Sequence, residues 1–140
     1  MKVTTDTNVL VSATFWTGDS YKILKSINEN KIELVLSEEI IEEYFDVASR
    51  REIMEKIENK KLTISEIVDS VIRNATIVEP KEKFNIVEDD LDDNKIVECA
   101  VEGKVDFIIS QDSHLLKIRE FRGIKTISPK DFLNILEMTK

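Results

Sequence analysis

The chain has 140 residues, 41% of them hydrophobic, with only 3 Gly and 2 Pro, which argues against a disordered chain and leaves enough apolar material for one domain's core. A single cysteine, Cys99, excludes an intramolecular disulfide framework and suits a reducing compartment. The net charge of −8 excludes a broadly basic nucleic-acid footprint, although the 28 acids sit beside 20 Lys and Arg, and clustered carboxylates look acidic until their cations bind.

Lys2 to Thr5 reads as a short strand. No charged-then-apolar leader precedes it, and no apolar run approaches the roughly 18 residues of a membrane span. We therefore expect a soluble, cytoplasmic protein with no membrane association. A helix from about Asn8 is broken at Thr17-Gly18-Asp19, and Ser20 to Asn30 carries a second with Tyr21, Ile23, Leu24 and Ile27 inward. Ile32 to Leu36 is a continuous apolar strand. Ser37 then caps a helix whose buried residues are Ile40, Ile41, Tyr44, Phe45, Val47 and Ala48.

Arg50-Arg51 ends that helix with favourable positive charge. Helices are predicted over about Glu52 to Asn59 and Ser65 to Ala75, then a brief strand, Thr76 to Val78, stopped by Pro80. An acidic turn, Glu88 to Asp93, leads into a helix from about Asn94 to Glu102. Asp106 to Ser110 is a strand, His114 to Arg119 a short helix, Lys125 to Ile127 the last strand, and Pro129 starts the final helix through Leu136. Strands separated by helices predict parallel βαβ units. Ligands in such sheets sit beyond the carboxyl ends of the strands, near a reversal of strand order.

Asp6 and Asp112 follow two predicted strands, and Asp93 stands where the acidic turn meets its helix. On the helix after the second strand, a turn of 100° per residue centres the apolar face between Ile41 and Tyr44, so Glu43 flanks that face while Glu42 points away. Carboxylates gathered in one cleft repel by several kcal/mol at an effective dielectric of about 20. A hard divalent cation, Mg²⁺ or Mn²⁺, relieves this, and no second His or Cys exists to build a zinc site. Each acid also has a plainer role: Asp6 and Asp93 as helix caps, Asp112 as a turn residue, Glu43 as a surface glutamate.

The segments Asp6-Thr7-Asn8-Val9-Leu10, Ser37 to Tyr44, Asp92-Asp93-Asn94-Lys95 and Ile108 to Asp112 together resemble, in order, the PIN-domain family, with similarity from about Val3 to Ser128. The resemblance is strongest to the toxins of toxin–antitoxin pairs, the VapC type. It implies one domain over 1–140 with a three-layer α/β/α fold, a central parallel sheet of about five strands, and a Mg²⁺- or Mn²⁺-dependent endoribonuclease. It places the family's catalytic and metal-binding acids on Asp6, Glu43, Asp93 and Asp112, with Asn8 and Ser110 orienting ligands or water. It also implies RNA as substrate, an antitoxin partner and a homodimer. Many relatives carry a further acid where this chain has His114; that departure leaves the occupancy of a second metal open.

His114 reads as a helix-start or surface residue, with a contact to substrate phosphate as the sharper alternative. Cys99 reads as core. Phe15 and Trp16 suit core packing, base stacking or a dimer surface. Arg50, Arg51, Lys56, Lys60 and Lys61 form the best basic cluster, a solvated face or an RNA-steering one. A haloacid-dehalogenase phosphatase needs an acid where Asn8 stands, and a receiver domain needs an acidic pair and a late lysine that are missing. A housekeeping RNA-processing nuclease and a non-catalytic binding module on the same scaffold remain the competing readings.

Overall fold

The computed structural model describes residues 1–50, 64–88 and 90–138. In chain order these form β1 (Lys2–Thr5), α1 (Thr7–Phe15), α2 (Asp19–Asn28), β2 (Glu33–Ser37), α3 (Glu38–Ala48), α4 (Ile64–Ile72) and β3 (Ala75–Val78). A single 3₁₀ turn (Leu91–Asp93) leads into α5 (Asn94–Gly103), followed by β4 (Phe107–Ile109), α6 (Ser113–Leu116), β5 (Glu120–Phe121), β6 (Ile124–Ile127) and α7 (Pro129–Met138). The predicted helix over Glu52 to Asn59 lies outside the described residues.

One sheet runs in the order β3-β2-β1-β4-β6-β5. The β1–β2, β2–β3, β1–β4 and β4–β6 pairs are parallel and β5–β6 is antiparallel. The sheet therefore has six strands rather than about five. The unforeseen one, β5, turns into β6 through Arg122 and Gly123, both at positive φ (50° and 82°). Two left-handed residues make the tight hairpin turn that suits strand twist. Asn-Gly is the usual signal, and Arg at the first position conceals it. Here the Arg122 guanidinium lies over the rings of Phe84 and Phe121, at 4.9 and 5.2 Å from their centroids, and pairs with Glu82 at 2.8 Å.

β1 is the pivot of the fold: the chain leaves it toward β2 and β3, then returns to its other side with β4. Thr4 reaches Cys99 of α5, and Val35 lies against Gly103 of the same helix. Strand alternation then gives Val3, Leu34 and Leu36 to the opposite face. Gly103 is there because nothing larger fits; a Cβ on it would fall 2.5 Å from Val35 Cγ1. Val35 is β-branched and 1% exposed, so it cannot swing away. Gly103→Ala is expected to lower stability by about 1–2 kcal/mol despite alanine's better helix propensity, measured by urea denaturation. An unchanged midpoint would show that the contact is slack.

Ser37 caps α3 by accepting the Ile40 N–H, and Ile40, Tyr44 and Ala48 form its buried stripe. Phe45, expected inside, is 41% exposed, and Ile41 and Val47 are only half-buried. The i, i+4, i+8 face is simply narrower than the apolar content of the helix. Tyr21, also expected inside, is 46% exposed. The helix predicted to Ala75 ends at Ile72, because Ala75 already pairs with Leu34 as the first residue of β3. Among the described residues no helix is long and apolar enough to cross a membrane.

Candidate metal centre

The strand order reverses between β1 and β4, so their carboxyl ends open a crevice. Asp6 leaves β1 and Ser110 leaves β4 at that point, and the Asp6 N–H still bonds the Ile109 carbonyl at 3.3 Å. Asp6 caps α1, its Oδ1 accepting the Val9 N–H at 2.8 Å, while Oδ2 accepts the buried Ser110 hydroxyl. That hydroxyl also accepts the Asp112 N–H at 2.9 Å. Ser110 thus ties the two strand-end acids together. Asp112 in turn caps the short α6, accepting the His114 N–H at 2.8 Å.

Asp93 behaves differently. It stands at the N-cap position of α5 yet makes no capping bond, and its Oδ2 is buried with no hydrogen-bond donor. Its carboxyl lies against that of Asp112, and two carboxyls can only share a proton. Burial, this contact, and then the charges of Asp112, Asp90 and Asp6 push the Asp93 carboxyl up to about 8. Burial also raises Asp6, opposed by its bonds from Ser110 and Val9 and reinforced by the charges of Asp112 and Glu43.

Glu43 is half-buried on the flank of α3 and Glu42 is exposed. Burial disfavours the Glu43 carboxylate, but the Lys95 ammonium bonded to its Oε2 and the charge of Arg50 outweigh that and lower its pKa. The four sequence-derived acids therefore share one electrostatic field without being equivalent. Both Asp6 oxygens and Glu43 Oε2 have protein partners. Among the described residues the tight group is instead Asp90, Asp93, Asp112 and His114, which can each offer an atom within 4.8 Å of all the others. His114 Nδ1 is 3.4 Å from Asp112 Oδ1.

Asn8 is exposed on the first turn of α1, and Arg50 is exposed at the end of α3. Arg51, Lys56, Lys60 and Lys61 lie outside the described residues. Trp16 is 37% exposed and meets Phe15 edge to face. Cys99 is fully buried.

Sequence reasoning passed over Asp90 and Asn94. Asn94 is buried; its Oδ1 accepts the N–H groups of Ile86 and Val87, both at 2.9 Å, and its Nδ2 donates to the carbonyls of Val87 and Leu91. One turn on, Glu98 Oε2 accepts the Phe84 N–H at 2.9 Å, and Glu102 Oε1 accepts the Lys81 N–H at 3.0 Å. Residues 94, 98 and 102 make one stripe of α5. That stripe replaces a neighbouring strand as the partner of the extended segment before the site, and so holds Asp90 beside Asp93. The i, i+4 spacing was the available signal.

The sheet is mostly parallel, and acids gather at its switch point. The chain matches the PIN domain family over residues 2–114 and belongs to it. PIN domains are generally nucleases and usually bind divalent metals. The crystal structure of PAE2754 from Pyrobaculum aerophilum is similar in fold, with a TM-score of 0.63 at 13% identity over 99% of this chain and 90% of that one. A search of the curated proteins returns no match.

Proposed function

We propose that this chain is a divalent-metal-dependent endoribonuclease and the toxin of a toxin–antitoxin pair of the VapC type. The observation that carries the reading is the Asp93–Asp112 contact, where a buried carboxylate oxygen without a donor faces a second carboxylate at the sheet's switch point. Removing a carboxylate from water without a compensating partner is costly, and a hard cation is the partner this donor set fits. Asp93 and Asp112, with Asp6 and Glu43 beside them, would hold Mg²⁺ or Mn²⁺. A bound ion of that kind activates water and stabilises charge on a phosphodiester.

The chain's own groups prepare the site. Ser110 fixes Asp6 and the Asp112 backbone in one geometry. Lys95 and Arg50 place positive charge beside an otherwise acidic crevice, where an RNA backbone needs it. Arg51 is a further phosphate contact in this reading. The protein works in the cytoplasm as a homodimer, silenced by an antitoxin.

The test is incubation of the purified protein with a set of RNAs, with and without Mn²⁺, beside Asp6→Asn. Cleavage is expected only from the unmodified chain with metal, and Mn²⁺ is expected to raise its melting temperature but not the variant's. Cutting that persists in chelator, or in the variant, would overturn the assignment. Co-purification of the product of a neighbouring small reading frame separates a toxin from a housekeeping nuclease.

A further inference from the structure

We infer that His114 supplies a nitrogen ligand to the cation, together with oxygens of Asp90, Asp93 and Asp112, and that the site therefore prefers first-row transition ions such as Mn²⁺ or Co²⁺ to Mg²⁺. The inference rests on the metal-dependent reading above but concerns a different set of atoms. Three observations lead to it. The four side chains can each bring an atom within 4.8 Å of the others, a spacing that one small cation can span. Asp93 Oδ2 is buried and unpartnered within that group. Asp6 has both oxygens engaged, by Val9 and Ser110, and Glu43 has Oε2 engaged by Lys95, whereas Asp112 accepts an N–H on Oδ1 alone.

His114 is placed for this by local structure. It is the second residue of α6, and its own N–H donates to Oδ1 of the capping Asp112, with the imidazole Nδ1 3.4 Å from that same oxygen. Asp90 is tied to Asp93 through its carbonyl, which accepts the Asp93 N–H at 3.1 Å, and it lies between Val87 and Leu91, both bonded by Asn94. Three carboxylates and one imidazole form a mixed oxygen–nitrogen donor set. Mg²⁺ favours oxygen and releases water reluctantly, whereas imidazole suits later first-row ions. A transition ion binds most N/O sites better than Mg²⁺, so the diagnostic quantity is how far the preference depends on His114.

The experiment titrates Co²⁺ and Mg²⁺ separately into the full chain, the first followed by its visible absorption and both by calorimetry. His114→Ala is expected to weaken Co²⁺ about tenfold or more and to change the cobalt spectrum, while Mg²⁺ affinity stays within about twofold. His114→Asp, which makes the set all-oxygen, is expected to shift the balance toward Mg²⁺. The His114 side chain is 39% exposed, so both variants should fold, and their metal-free melting curves check this. Equal losses for the two ions, or none, would overturn the inference and leave the nuclease reading standing. A wild-type chain that binds neither ion would overturn both.

Discussion

Asp93→Asn is expected to reduce RNA cleavage at least about 100-fold while making the metal-free protein more stable at pH 8. The two effects share one cause. The Asp93 carboxyl is half-buried against Asp112, with Oδ2 closed to water, and stands close to Asp90 and Asp6, so its ionised form is disfavoured until a cation arrives. Asn keeps the shape, removes one of the repelling charges and gives Asp112 a donor, but it is a poor ligand for a divalent ion. The folded protein holds the Asp93 proton up to about pH 8, whereas the ordinary value is 3.8, so between these limits the folded state binds more protons than the unfolded one. Stability of the metal-free chain should therefore fall as pH rises across that window. Melting temperatures in chelator at pH 5, 6.5 and 8 measure the slope, and Asp93→Asn should remove most of it. A variant with the wild-type slope, or one that still cuts RNA, would separate Asp93 from the site.

Asn94→Ala is the largest expected structural effect, a loss of about 3 kcal/mol. The side chain of Asn94 meets two N–H groups and two carbonyls of the segment that crosses α5, and Val87, which both gives and takes one of these bonds, is 1% exposed. Water cannot reach the Val87 N–H and carbonyl, so their share of the cost is that of unsatisfied buried polar atoms, while the Ile86 and Leu91 groups, in half-buried and exposed residues, exchange their bonds for solvent. The exposed Asn85 provides the control; Asn85→Ala should stay within about 0.5 kcal/mol in the same urea titration. Metal affinity should fall with Asn94→Ala as well, because Asp90 loses its tether. Equal midpoints for the two variants would contradict this role for Asn94.

Much of the scaffold was legible because it is built from local signals. The caps at Asp6 and Ser37, the Pro129 start of α7 and the apolar run of β2 are decided within a few residues of one another. Glu43 rather than Glu42 on the flank of α3 followed from helix geometry alone. β5 was missed because Arg122 replaces the expected turn residue, and it is held by Phe84, some forty positions earlier. Phe45 was misplaced because apolarity says which residues can be buried, while the neighbouring elements determine which are.

The amino-acid order by itself determined an alternating α/β chain with acids at its strand ends and helix starts, since periodicity and capping act over one or two turns. Only the tertiary structure decided what each acid is paired with. Asp6 and Glu43 are occupied by Ser110 and Lys95, partners 104 and 52 positions away, whereas Asp93 is left without a donor and set against Asp112. Solvation and charge pairing depend on what the folded chain brings within a few ångströms, and that distance is not written in any local segment.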